Sequence, residues 1–168
     1  ASKLKGAENE VVYSRAKLLV AEGKKDDAIS SLRAFIDKNP ADVPALALWF
    51  ALATEKGNAE QVIKHTQQQF NAKKGDLNLR LLLARMYSLN NQLDKTVSLL
   101  ADVEGNEASP QAFWNLKGQA LIATNNLKDA TAFFDRWLSF YPQDKNAVLG
   151  KLLIVDSQKQ FEQGLTLI

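Results

Sequence analysis

The chain has 168 residues, 46% hydrophobic and 24% charged, enough apolar material for a sizeable folded core and too much for a disordered segment. Its formal net charge of +2 is small and evenly spread, which argues against nucleic acid or an anionic membrane surface as partner. Cysteine is absent, which removes disulfides, thiolate metal sites and cysteine nucleophiles together and leaves the compartment open.

Residues 1–8 are a lead into the pattern: a tag remnant, a trimmed start or the tail of an earlier helix. No charged segment followed by an apolar one opens the chain, so no signal peptide is visible. The longest nearly apolar run, Ala45 to Ala53, falls far short of the roughly 20 residues of a membrane span, so no direct membrane insertion is expected. From Asn9 onward, five segments superimpose at a fixed interval of 34 residues, starting at Asn9, Val43, Leu77, Gln111 and Lys145. They delimit repeats 9–42, 43–76, 77–110 and 111–144 and a truncated fifth, 145–168, within a single domain.

Each repeat reads as two amphipathic helices around a short turn. In the fourth, Phe113, Trp114, Leu116, Ala120 and Leu121 recur at helical spacing, Thr124-Asn125-Asn126 breaks the pattern, and Leu127, Ala130, Phe133, Phe134, Trp137 and Leu138 resume it. The fifteenth residues are Gly23, Gly57, Asn91, Asn125 and Lys159. Gly and Asn tolerate a left-handed backbone, so four of the five repeats carry a helix stop there. Asp42, Asp76 and Asp144 precede first helices as N-caps, and Ser109 with Pro110 is expected to do the same one residue earlier. Pro40 and Pro142 close second helices, and Asp102 to Asn106 should end the third repeat's second helix early. No β-type alternation is sustained, so the fold class is all-α. A unit of this length cannot bury its apolar face alone and must stack on its neighbours as an α-solenoid.

The fourth repeat, with Trp114, Gly118, Leu127, Ala130, Phe134 and Pro142, resembles the tetratricopeptide repeat, a 34-residue helix-turn-helix module. The first supports it through Ala16, Leu19, Gly23, Ala28, Leu32 and Pro40, and the third through Leu83, Ala84, Tyr87, Leu93 and Leu100. The resemblance implies a right-handed solenoid. Phe50 and Leu152 depart from the pattern by placing bulk where Ala16, Ala84 and Gly118 are small, which predicts wider helix spacing in repeats two and five.

Catalysis finds little support. His65 is the single histidine, without an acidic residue one turn away, and reads as a surface helix residue; no metal or other cofactor is expected. Gly23-Lys24-Lys25 lacks the Gly-rich lead of a phosphate loop and reads as a helix end. Trp49, Trp114 and Trp137 lie on the periodic apolar face and read as core, not as stacking platforms for bases.

What the resemblance leaves is the groove lined by first helices. It places Tyr13, Lys17, Asn78, Leu81, Arg85, Asn115, Gln119, Ile122 and Leu149 there as peptide-binding residues. Amides such as Asn78, Asn115 and Gln119 can pair with both N–H and C=O of an extended peptide. The two-carboxylate clamp of chaperone-tail modules is not carried over, because Tyr13, Ala51 and Leu81 stand where its Lys and Asn belong. The expectation is a non-enzymatic scaffold for a protein or peptide partner, without nucleic acid. The alternatives are an accessory segment of a larger enzyme or export machine and, third, an RNA-binding helical repeat. The last segment, through Phe161, Gly164, Leu165 and Ile168, ends apolar where a polar cap is usual. That suggests a piece of a longer array or an end covered by another copy as a homo-oligomer. Gln, Asn and Lys usage inclines the origin toward a bacterial periplasm or envelope.

Overall fold

Helix starts fall on the 34-residue interval. In the computed structural model, α3 (Val43–Glu55), α5 (Leu77–Leu89), α7 (Gln111–Ala123) and α9 (Lys145–Leu165) begin at the first residues of repeats two to five. Between them lie α2 (Lys25–Lys38), α4 (Ala59–Ala72), α6 (Leu93–Leu100) and α8 (Leu127–Phe140), and α1 (Ser2–Ala21) precedes them. The structure describes residues 2–165, with side chains over residues 9–159, and contains no strand among them.

Local chemistry explains where these helices stop. Gly23, Gly57, Asn91 and Asn125 have φ of 77°, 73°, 56° and 54°, so the four fifteenth-position residues are the ones that turn the chain left-handed. Lys159 cannot do this cheaply, and α9 runs through it unbroken. The apolar residues Phe161, Gly164, Leu165 and Ile168 lie outside the side chains described.

The starts are equally specific. Asp42 Oδ1 accepts from Ala45 N at 2.9 Å, Asp76 Oδ1 from Leu79 N at 3.0 Å, and Asp144 Oδ1 from Ala147 N at 3.0 Å. The fourth first helix departs from expectation. Pro110 itself is the N-cap of α7, without a side-chain cap, because the Ser109 hydroxyl is taken by the preceding loop, where it accepts from Asn106 N at 3.0 Å.

The chain divides into two compact units, Ala1–Met86 and Tyr87–Ile168. In the first, Ala28, Leu32 and Ile36 on α2 meet the buried faces of α1 and α3, with Ala16, Leu46, Trp49 and Phe50 among the core residues. Asn9 Nδ2 donates to Asp42 Oδ2 at 3.2 Å, and the Tyr13 hydroxyl donates to Asp42 Oδ1, tying α1 to the cap of α3. Reciprocal ion pairs Lys25–Glu55 and Lys56–Asp26 join the start of α2 to the end of α3.

In the second unit the core is aromatic. Trp114 stacks on Trp137 at 5.7 Å and meets Phe133 at 5.3 Å, while Phe134 also stacks on Trp137, at 5.5 Å. Such pairs contribute about 0.5–1.5 kcal/mol each beyond the area they bury. Against this, the buried indole N–H groups of Trp114 and Trp137 find no acceptor among the described residues, at about 1–3 kcal/mol each. All three tryptophans are buried, as core residues should be.

The short helix α6 ends at Leu100, before Asp102 to Asn106, and the loop after it is held from outside. Lys117 Nζ donates to the carbonyls of Leu100, Ala101 and Val103 at 2.8, 3.3 and 3.0 Å. Arg136 Nε donates to Gly105 O at 2.7 Å and Tyr141 Oη to Glu107 O at 2.6 Å. Cations at a helix C-terminus complement its dipole. Burial holds the Lys117 amine below its ordinary value, while Asp102, Asp129 and Glu104 pull it back up and Arg136 pushes it further down.

A concave cleft between α7 and α9

The site forms in the second unit, where α7 and α9 lie side by side over α8. Two glycines set the approach. A Cβ on Gly118 would stand 2.8 Å from Phe134 Cζ, and one on Gly150 would stand 2.2 Å from Phe134 Cε1. Both helices therefore rest on one ring, which a bulkier residue at either place would lift. Ala147 and Ile154 complete the buried face of α9. Gln111 Nε2 donates to Asp144 Oδ2 at 3.0 Å, and Asn146 Nδ2 donates to Asn115 Oδ1 at 3.2 Å, bridging the two helices near their starts.

These contacts leave a cleft of about 220 Å³ lined by Asn115, Gln119 and Ile122 from α7, Phe134 and Trp137 from α8, and Asn146, Leu149, Gly150 and Leu153 from α9. No charged side chain lines it. Its floor is aromatic and aliphatic, and its polar groups are three side-chain amides, each with donor and acceptor atoms. That combination suits an apolar side chain below and a peptide backbone above. It offers neither a nucleophile with a base nor a set of metal ligands.

Four of the nine residues expected from the sequence meet here: Asn115, Gln119, Ile122 and Leu149. The other five lie in the first unit, outside this cleft. Lys17, Asn78 and Arg85 are exposed, whereas Leu81 is buried, with 8% of its surface exposed. Tyr13 is half-buried, edge-on to Phe35 at 6.0 Å and bonded to Asp42. Burial, the bond to Asp42 and that carboxylate's charge together raise its phenol well above its ordinary value.

Gly150 is the site residue that periodicity does not mark. A glycine at the sixth place of a first helix has no counterpart in the other repeats, where that place holds Ser14, Leu48, Leu82 and Leu116. Its signal is local: a helix-weakening glycine in an otherwise apolar run. Lys117 carried no signal at all, since the carbonyls it holds are more than ten residues away in sequence.

Two other clefts are less suited to a ligand or to chemistry. One of about 370 Å³ beside the 101–110 loop is lined by Lys117 and Arg136, already engaged on that loop. One of about 230 Å³ holds His65, half-buried, edge-on to Trp49 at 5.7 Å and 3.2 Å from the Pro40 carbonyl. Among the described residues no group of His, Asp or Glu could hold a metal ion, and no helix is long and apolar enough to cross a membrane.

A scan against family models matches the tetratricopeptide repeat over residues 13–54 and 80–145. No characterised protein sequence matches significantly. Among solved structures the chain is similar to a tetratricopeptide repeat protein from Parabacteroides merdae, with 18% identity, a TM-score of 0.67 and coverage of 91% of this chain. The chain spans 61% of that protein's length, and the likeness supports the all-α helical-repeat fold. On the extent of the family match, together with helix starts at a 34-residue interval and left-handed turns at the fifteenth places, the chain belongs to the tetratricopeptide repeat family.

Proposed function

We propose that the protein is a non-enzymatic interaction module that captures an extended segment of a partner protein in the α7–α9 cleft. Tetratricopeptide repeats are in general protein-interaction scaffolds, so the finer question is where this one binds and what it reads. The observation that carries the reading is the meeting of Asn115, Gln119, Ile122 and Leu149 in one uncharged cleft with an aromatic floor. A bulky apolar side chain of the partner fills the space over Phe134 and Trp137. The amides of Asn115, Gln119 and Asn146 take its backbone groups, which favours affinity without strict sequence demand. Lys17, Asn78 and Arg85 are exposed on the first unit and are no part of this cleft.

A displayed library of random peptides, selected on the wild-type protein and counter-tested on Asn115→Ala/Gln119→Ala/Ile122→Ala, tests this. Selected peptides should be rich in Leu, Met or aromatic residues and should lose about tenfold or more in affinity on the triple variant, in line with truncation of a few central contacts. The melting temperature should stay nearly unchanged, because these side chains are at most half-buried. Peptides that bind both proteins equally would remove the cleft from the account.

A further inference from the structure

Position within the repeat shows which face of each first helix is covered. The fourth, eighth and eleventh residues are buried in α3, as Leu46, Phe50 and Ala53, and in α7, as Trp114, Gly118 and Leu121, where these helices pack on α4 and α8. The same places in α9 hold Val148, Leu152 and Val155, which are 42%, 61% and 37% exposed. Among the described residues α9 is unbroken to Leu165 and no second helix packs on this face.

The spacing of this bare face is itself informative. Lys145, Val148, Leu152, Val155 and Lys159 follow one another at intervals of three, four, three and four, the seam of a helix that packs lengthwise on another helix. The seam spans about 21 Å at 1.5 Å per residue. Its apolar centre is bracketed by two lysines, and neither has an acidic partner among the described residues. Lys151, beside the seam, is already paired with Asp135.

We propose that this face of α9 docks an amphipathic helix of a partner protein whose apolar stripe is bracketed by acidic residues, in the place that α8 holds on α7. Charge selects this occupant over a second copy of the chain. An antiparallel pair of α9 helices sets Lys145 against Lys159, and a parallel pair sets each lysine against itself, so like charges meet at both ends in either direction. An acid-bracketed helix satisfies both ends in either direction. The site is separate from the α7–α9 cleft, which uses Leu149 and Leu153 instead.

The test uses two synthetic 18-residue helical peptides with the same leucine stripe, one with Glu and one with Lys at both ends, titrated by fluorescence anisotropy. The acid-ended peptide should bind the wild-type protein about tenfold or more tightly than its twin, the size of a complementary-versus-repulsive charge difference at an interface rim. Lys145→Glu/Lys159→Glu should invert that preference. Leu152→Glu should abolish binding of both while leaving the melting temperature and capture of peptides in the cleft unchanged, since Leu152 is already exposed. Equal binding of the twins, or binding indifferent to Leu152→Glu, overturns the proposal. So does a concentration-dependent dimer in sedimentation equilibrium that Leu152→Glu dissolves, which would make a second copy the occupant.

Discussion

Single side chains decide how closely helices approach in the second unit. Glycine to alanine inside a helix ordinarily stabilises by about 1 kcal/mol. At Gly150 the sign should reverse. The new methyl would stand 2.2 Å from Phe134, whose ring is buried and stacked on Trp137 and so has nowhere to move. Overpacking of this kind costs about 1–3 kcal/mol. Urea denaturation of Gly150→Ala should show that loss, with Gly118→Ala losing less because its methyl would be 2.8 Å away. The requirement at Gly118 was legible as a small residue recurring at one place in the repeat. That at Gly150 was not, because it depends on the Phe134 rotamer and on how α9 crosses α8. Leu81 differs in burial: its register position is that of an expected groove residue, and only 8% of its surface is exposed.

Between elements, polar contacts fix what apolar periodicity leaves free. Tyr13 gives α1 a bond to the cap of α3, and Tyr13→Phe should cost about 0.5–1.5 kcal/mol at neutral pH. The folded phenol titrates above its unfolded value of 10.0, so the native state holds this proton more tightly. The wild-type advantage over Tyr13→Phe should therefore be constant below pH 10 and shrink as pH rises beyond it, measured by denaturant midpoints across pH 7 to 11. Lys117 plays the corresponding part at the end of α6. Lys117→Met keeps the apolar stem but strips three carbonyls of their donor, and should cost about 1–3 kcal/mol. Faster amide hydrogen exchange through residues 101–106 would locate the loss. The early end of α6 was legible in Asp102 to Asn106, whereas the donor that makes it tolerable was not. A lysine on a helix says nothing about which distant carbonyls it will meet.

For the molecule as a whole, the interval of 34 residues was the most legible property. It located the starts of α3, α5, α7 and α9 and the left-handed turns, because those depend on residue type at a few fixed places. The straight course of α9 had a readable cause in Lys159, the one fifteenth-place residue that is neither Gly nor Asn. Charge at this scale carries a prediction of its own. With a net charge of +2 and its basic residues dispersed, the protein should show no saturable binding to a fluorescent 12-nucleotide single strand at 50 mM salt. Tight binding that falls steeply with added salt would restore nucleic acid as a partner.

Two of the hydrogen bonds that span a repeat from its first place to its last have one separation. Asn9 reaches Asp42 and Gln111 reaches Asp144, each a first-place amide bonded to an acid 33 residues on. That acid is also the cap of the next first helix, so the bond measures out a repeat and starts its successor in one step. Inserting one residue within a helix of either repeat would rotate all that follows by about 100° and take the acid out of reach. Adding or removing a whole repeat leaves the spacing intact. The chain therefore carries its own ruler: it accepts changes of length in units of 34 residues and resists those in units of one.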